Sequence, residues 1–170
     1  SATEYRNRRW LEEAERILLT FEKLGIPIVP IKGGALVGDV YTPAERYMND
    51  LDFLIPRSFA SDARSALFSL DYRHGRYEPA NQTILRVEPA VLRAWTFQNH
   101  VLPNFYRVTH DDRSPYCKVQ LGHNLFDPYE GFELSSDELL RNHVRGSGAS
   151  MRLTLPASLL SIITHLYREG

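Results

Sequence analysis

Residues 50–55 read Asp-Leu-Asp-Phe-Leu-Ile, and polar and apolar residues alternate over the first four of them. That is the two-residue period of a half-buried strand, with side chains pointing to opposite faces in turn. Asp50 and Asp52 then share one face of the strand, and Leu51 and Phe53 share the other. A fold that contains this strand packs Leu51 and Phe53 into a core and leaves two carboxylates together on the far side. Pro56 ends the strand.

The elements on either side suit a sheet covered by helices. Trp10, Leu11, Ala14, Ile17, Leu18 and Phe21 recur at three- and four-residue spacings, which predicts a helix over Glu4 to Leu24. Gly25 and Pro27 close it. Ile26 to Ile31 is a short β-branched run, and its prolines assign it to a sheet edge or a strand end. A short helix is expected over Ala35 to Val40, and another over Ser58 to Leu70 with Ser58 as N-cap. Beyond Tyr72 the pattern shortens to strand-like pieces at Ala94 to Asn99, Phe105 to Thr109 and Tyr116 to Leu125, the last two reading as a hairpin. A helix capped by Ser135 or Ser136, a short strand from Met151 to Leu155, and a final helix opened by Pro156 complete the chain. The order predicts one α+β, or mixed α/β, domain over residues 1–170.

Composition narrows the function classes. The chain has 170 residues, enough for a core without disulfides, and Cys117 has no partner cysteine. A buried packing role is expected for it. The net charge of -1 leaves no footprint for extended nucleic-acid binding. No apolar run approaches the roughly 18–20 residues of a membrane span, and the N-terminus lacks a signal-like apolar stretch, so a cytoplasmic protein without a membrane partner is expected. The final amphipathic segment runs to the last residues, which reads like a piece of a longer protein.

The residues before the Asp-x-Asp strand give the carboxylates a chemical context. Two carboxylates at positions i and i+2 of a strand can converge on one hard cation, and magnesium takes one or two carboxylates plus phosphates and waters. Gly33 and Gly34 precede a helix, where backbone N–H groups can approach a phosphate closely. Lys32 stands beside them and Arg46 lies four residues before Asp50, so both can reach phosphate oxygens. Singly, each feature has a plainer reading: a solvated strand face, a turn, surface cations. Together and in this order they are the parts that phosphoryl or nucleotidyl transfer needs.

The stretch Ile31 to Ile55 resembles a little-characterised nucleotidyltransferase family of the polymerase-β-like superfamily. Its members carry apolar-Lys-Gly-small-small-Leu, then Tyr, then Arg, then Asp-Ile-Asp-Leu-Leu-Val. Here the corresponding places read IKGGAL, Tyr41, Arg46 and DLDFLI. A weaker likeness extends to Asn99-His100-Val101-Leu102-Pro103 and to the last helix, with Leu159, Leu160 and His165. The resemblance implies a polymerase-β-like core, a small mixed sheet with helices packed mainly on one face. It implies Mg2+ or Mn2+ at Asp50 and Asp52, and a nucleoside triphosphate gripped at Gly33 and Gly34. It also implies attack by an acceptor hydroxyl, on a small molecule, a peptide or an RNA end, with pyrophosphate leaving.

The sequence departs from that pattern at one place. The superfamily supplies a third carboxylate from a later strand, and the matching strand here is Lys118-Val119-Gln120-Leu121-Gly122-His123. Gln120 stands where the acid is expected, and a neutral amide neither binds a metal well nor accepts a proton. Asp111, Asp112, Asp127, Glu88 and Glu133 are alternative acids. Gln120 therefore keeps a second reading open, a catalytically impaired relative that binds a nucleotide or a partner. A plain interaction domain is a third. The histidines, His74, His100, His110, His123, His143 and His165, show no helical i, i+4 pair of a zinc site, although His100 and His123 could face each other.

Overall fold

A computed structural model of the chain describes residues 1–37, 40–99, 101–126 and 134–169. The first helix, α1 (Ala2–Lys23), begins with a capping box in which Ser1 and Glu4 satisfy each other's backbone N–H groups. Its stripe of Trp10, Ile17 and Phe21 is almost completely buried. Each such side chain contributes roughly 1.5–3 kcal/mol by leaving water. Gly25, at φ 68°, takes the left-handed conformation that turns the chain toward the sheet.

Six strands form one mixed sheet in the order β1 (Val29–Pro30), β2 (Leu51–Leu54), β6 (Tyr116–Gly122), β5 (Phe105–Val108), β3 (Arg73–Glu78), β4 (Thr83–Arg86). Among the described residues, only the β2–β6 pair of strands is parallel. The proline-bearing strand lies at the edge, as its missing N–H requires. One sheet face, carrying Phe53, Phe105, Cys117, Val119 and Leu121, packs against α1 and α3 (Ala60–Ser69) in the main core. Cys117 is buried there as expected. A smaller cluster joins Val29 and Leu54 to Leu139 and Leu140 of α5 (Ser136–Asn142), to Leu153 of β8 (Arg152–Leu153) and to Ala157 of α6 (Leu155–Glu169). Strand β8 pairs with β7 (Val144–Arg145) in a two-stranded ribbon. This mixed sheet with helices is the α+β fold class expected from the sequence, and helices pack on both of its faces, α1 and α3 on one and α5 and α6 on the other.

Several elements differ from the sequence expectation. The short helix after β1, α2 (Lys32–Leu36), starts at Lys32 and takes in both glycines, while residues 38 and 39 of the expected span lie outside the described residues. Ser58 caps nothing. It sits in a 3-10 turn, Arg57–Phe59, and α3 starts after Phe59 without a side-chain cap. Ala94 to Asn99 is no strand but the second half of α4 (Pro89–Gln98). Its aromatic and β-branched residues favour a strand only weakly, and Pro89 at the first turn starts a helix upstream of them. The β3–β4 hairpin escapes the alternation test because its strands are partly exposed on both faces.

Candidate functional site

Strands β2 and β6 run side by side, and their register sets Leu51 opposite Val119 and Asp52 opposite Gln120. Parallel neighbours in register point the same way, so Asp52 and Gln120 share the face turned away from the main core. Two residues back on each strand, the same face carries Asp50 and Lys118. The Lys118 Nζ donates to Asp50 Oδ2 at 2.9 Å, and Lys32 Nζ donates to Asp52 Oδ1 at 3.0 Å. Each aspartate of the predicted pair is thus held by its own lysine. Lys32 adopts φ 50°, a left-handed conformation that costs a non-glycine residue roughly 1–2 kcal/mol. The ion pair to Asp52 helps to hold it there.

Lys118 was not singled out by the sequence reading. Its signal is its position two residues before Gln120, as Asp50 stands two before Asp52. That signal becomes visible only once residues 118–122 are known to pair with residues 50–54.

Burial separates the two carboxylates. Asp52 is 5% exposed, so the alternation that suggested an open strand face is corrected: the whole of β2 is buried, and Asp52 lies in a recess. Burial first, and then the charge of Asp50, push the Asp52 carboxyl up from 3.8 to about 6, against the pull of Lys32. Carboxylate pairs are a donor type that magnesium and manganese take, with phosphate oxygens and water in the remaining positions. Among the described residues no third His, Cys, Asp or Glu stands with the two aspartates, so the chain does not build a metal cage by itself. A proton on Asp52 competes with any cation. Were manganese held by Asp52, its affinity would rise as pH increases from 5 through about 6 and level off by 7.5. A titration flat over that range would count against metal binding by Asp52.

Lys32, Asp52 and Gln120 line a cleft of about 170 Å³, closed on its other side by Ser161, Thr164 and His165 of α6. The Gln120 side chain turns to Asn104, its Nε2 donating to Oδ1 at 3.4 Å. Neither glycine is among the residues lining this cleft, although a Cβ on Gly34 would come 3.9 Å from the Asp52 carbonyl oxygen. Gly34 borders a separate depression with Pro30, Ala35 and Val37, against α1 and residues 149–152. Neither glycine has a positive φ, and a Cβ added at either would meet nothing closer than 3.9 Å, so the fold itself does not demand glycine there. Arg46 sits on an exposed turn with its guanidinium over the ring of Tyr41, and is not among the residues lining the cleft.

The alternative acids are placed apart from the cleft or lie outside the described residues. Asp111 accepts the Tyr5 hydroxyl at 2.7 Å, at the far end of the β5–β6 hairpin. Asp112 is exposed in that hairpin turn, and Glu88 is exposed at the start of α4. Asp127, Glu133 and His100 lie outside the described residues, so a pairing of His100 with His123 is not described either.

A family model described as uncharacterised nucleotidyltransferase matches residues 1–170. The chain belongs to this nucleotidyltransferase family. No curated protein and no solved structure matches it. Nucleotidyl transfer is thus the reaction type of the family, and a nucleotide its substrate class. In this nucleotidyltransferase-family chain the two aspartates stand on a central strand, and Gln120 is seated beside Asp52 on the neighbouring one. No helix among the described residues is long and apolar enough to cross a membrane.

Proposed function

We propose that the protein is a metal-dependent nucleotidyltransferase that moves a nucleoside monophosphate from a nucleoside triphosphate to an acceptor hydroxyl. The observation that carries this reading is the placement of Asp50 and Asp52 on one face of β2, each within hydrogen-bond distance of a lysine, with Asp52 in the wall of a cleft. Two buried or half-buried carboxylates on one face repel each other, and a fold keeps them there when cations balance them. Asp50 and Asp52 would hold one magnesium or manganese ion. When bound, that ion would neutralise charge on the triphosphate and polarise the phosphorus under attack.

The protein's own groups supply the rest. Lys32, displaced from Asp52, would present its ammonium to a phosphate oxygen while staying within the cleft. Lys118 would keep Asp50 oriented through its hydrogen bond. Transfer then forms a bond from the acceptor oxygen to the α-phosphorus, breaks the bond to the β-phosphate bridge and releases pyrophosphate. The acceptor proton leaves to solvent or to a carboxylate.

A second reading is favoured by Gln120. The residue beside Asp52 is an amide engaged with Asn104, and an amide cannot take up the acceptor's proton. On that reading the domain binds a nucleotide and turns over slowly or not at all.

Magnesium-dependent pyrophosphate release by the wild type and by Gln120→Asp separates the two. The first reading expects release by the wild type and at least a tenfold gain in the variant, through general-base catalysis. Release by the variant alone identifies a site lacking only its acid. Triphosphate binding with no release by either protein puts the binding module ahead. Absence of triphosphate binding overturns both.

A further inference from the structure

We propose that the groove between α3, α4 and the β3–β4 hairpin binds single-stranded RNA, and that an RNA end is the acceptor offered to the Asp52 cleft. This inference rests on the nucleotidyltransferase reading and names the acceptor that reading leaves open. Two adjoining clefts make the groove, and His74 and Leu92 belong to both. Arg64 of α3 and Arg93 of α4 line one, and Arg73 of β3 and Arg86 of β4 line the other. No aspartate or glutamate lines either of them. In a chain with 20 basic and 21 acidic residues, four arginines around one histidine with no acid among them are a local excess of positive charge. Arg64, Arg86 and Arg93 form no ion pair among the described residues, and Arg73 reaches the exposed Asp71 only at 3.8 Å. These guanidinium groups are free to meet phosphates, whose oxygens match their planar fork of donors.

Cations alone suit any polyanion, and the rings between them narrow the class. Phe68 lines the second cleft and is 38% exposed. Its ring stands edge-on to His74 at 5.4 Å and to Phe105 at 6.2 Å, and His74 packs on Phe105 at 4.1 Å. The His74 Nδ1 lies 3.0 Å from Pro103 O, which fixes the imidazole. An aromatic surface is thus held in place between unpaired arginines. That is the arrangement a single strand needs: bases stack on the ring while phosphates meet the guanidinium groups, and neither contact depends on base sequence. The groove's position links it to the reaction. Val101 lines the Asp52 cleft, and the next two residues, Leu102 and Pro103, line the Arg64–Arg93 cleft. One stretch of backbone separates the two, and the half-exposed Trp95 is tied to it by Nε1 donation to Val101 O at 3.1 Å. A strand held in the groove can turn its end over this stretch into the cleft.

The test is fluorescence anisotropy of a short dye-labelled oligoribonucleotide with the full chain, over a series of salt concentrations. The wild type is expected to bind, more weakly as salt rises. Arg64→Gln/Arg93→Gln changes two exposed side chains, so the fold is expected to survive. It is expected to lose about tenfold or more in affinity and to lower the salt slope by about 1.4, roughly 0.7 for each of two phosphate contacts. Phe68→Leu is expected to lose about fivefold or more with the slope unchanged, because it removes stacking and no charge. With labelled nucleoside triphosphate and magnesium, label is expected on the strand, and not on a strand whose terminal hydroxyls are blocked. Absence of oligoribonucleotide binding by a wild type that still binds triphosphate overturns the proposal and leaves the nucleotidyltransferase reading standing. So does equal binding by all three proteins. Binding that a polyglutamate peptide displaces as well, and that Phe68→Leu leaves unchanged, would make the groove a general anion patch and overturns it too. Pyrophosphate release with no label on the strand overturns the acceptor role. If neither appears, the nucleotidyltransferase reading itself fails, and the acceptor role with it.

Discussion

Asp52→Asn is expected to lower magnesium-dependent nucleotidyl transfer by about 100- to 1,000-fold, the usual cost of removing one charge-stabilising group from a reaction centre. The same change is expected not to destabilise the fold. Asparagine keeps the shape, and its Oδ1 can still accept the Lys32 ammonium that Asp52 accepts at 3.0 Å. It also removes a buried charge. In the wild type the Asp52 carboxyl holds its proton up to about 6 when folded, against 3.8 ordinarily. Between those values the folded chain binds more protons than the unfolded chain. Stability therefore falls as pH rises through that window, and the loss is complete above about 6. Asp52→Asn should flatten this fall and leave the metal-free variant at least as stable as the wild type at pH 7.5. Thermal melts from pH 4 to 8, paired with pyrophosphate release, check both halves. Turnover within threefold of the wild type would show that Asp52 takes no part in the reaction.

The largest expected effect on stability lies on the opposite face of the sheet. Glu13 of α1 is 7% exposed, and its carboxylate accepts hydrogen bonds from Arg16, from Arg107 of β5 at 2.6 Å and from the Tyr72 hydroxyl at 2.9 Å. Burial pushes this carboxyl up, but the Arg16 hydrogen bonds, the Arg107 charge and the Tyr72 hydroxyl outweigh burial and hold it below the usual range. Its contribution is thus present at neutral pH and is lost as pH falls below that range. Glu13→Ala removes the shared partner and leaves the half-buried Arg107 uncompensated. The cost expected is about 3 kcal/mol, at the low end for a broken buried pair because Arg16 is partly exposed and regains water. That is a large share of the roughly 5–15 kcal/mol that holds a domain folded. Urea unfolding at pH 7 measures it, and a loss below 1 kcal/mol would show that the network is decorative. Because Arg107 pairs with Cys117 across β5 and β6, the same variant should loosen the strand that presents Lys118 and Gln120.

How much of this was legible in advance depends on the range of the interaction involved. The i, i+2 rule put Asp50 and Asp52 on one strand face without any knowledge of the fold. The stripe of Trp10, Ile17 and Phe21 fixed α1, and the prolines of the run from Ile26 to Ile31 fixed its place at an edge. Each of these is a local property of the backbone. The reading failed where local preference was weak. Trp95 sits in a helix that Pro89 begins six residues earlier, and the β3–β4 hairpin carries no alternation to detect.

The partners of the two aspartates belong to another class of fact. Lys118 is 68 residues from Asp50 and Lys32 is 20 from Asp52, and no local pattern links either pair. Only the parallel register of β2 with β6 brings Lys118 and Gln120 onto the aspartate face. Only the packing of α6 turns Ser161 and Thr164 into a cleft wall facing Lys32 and Asp52. The sequence by itself determined which residues could do the chemistry, because periodicity and residue type are carried along the chain. The tertiary structure decided which of them meet and how deeply Asp52 is buried, because register and helix packing are settled by contacts between segments far apart in sequence.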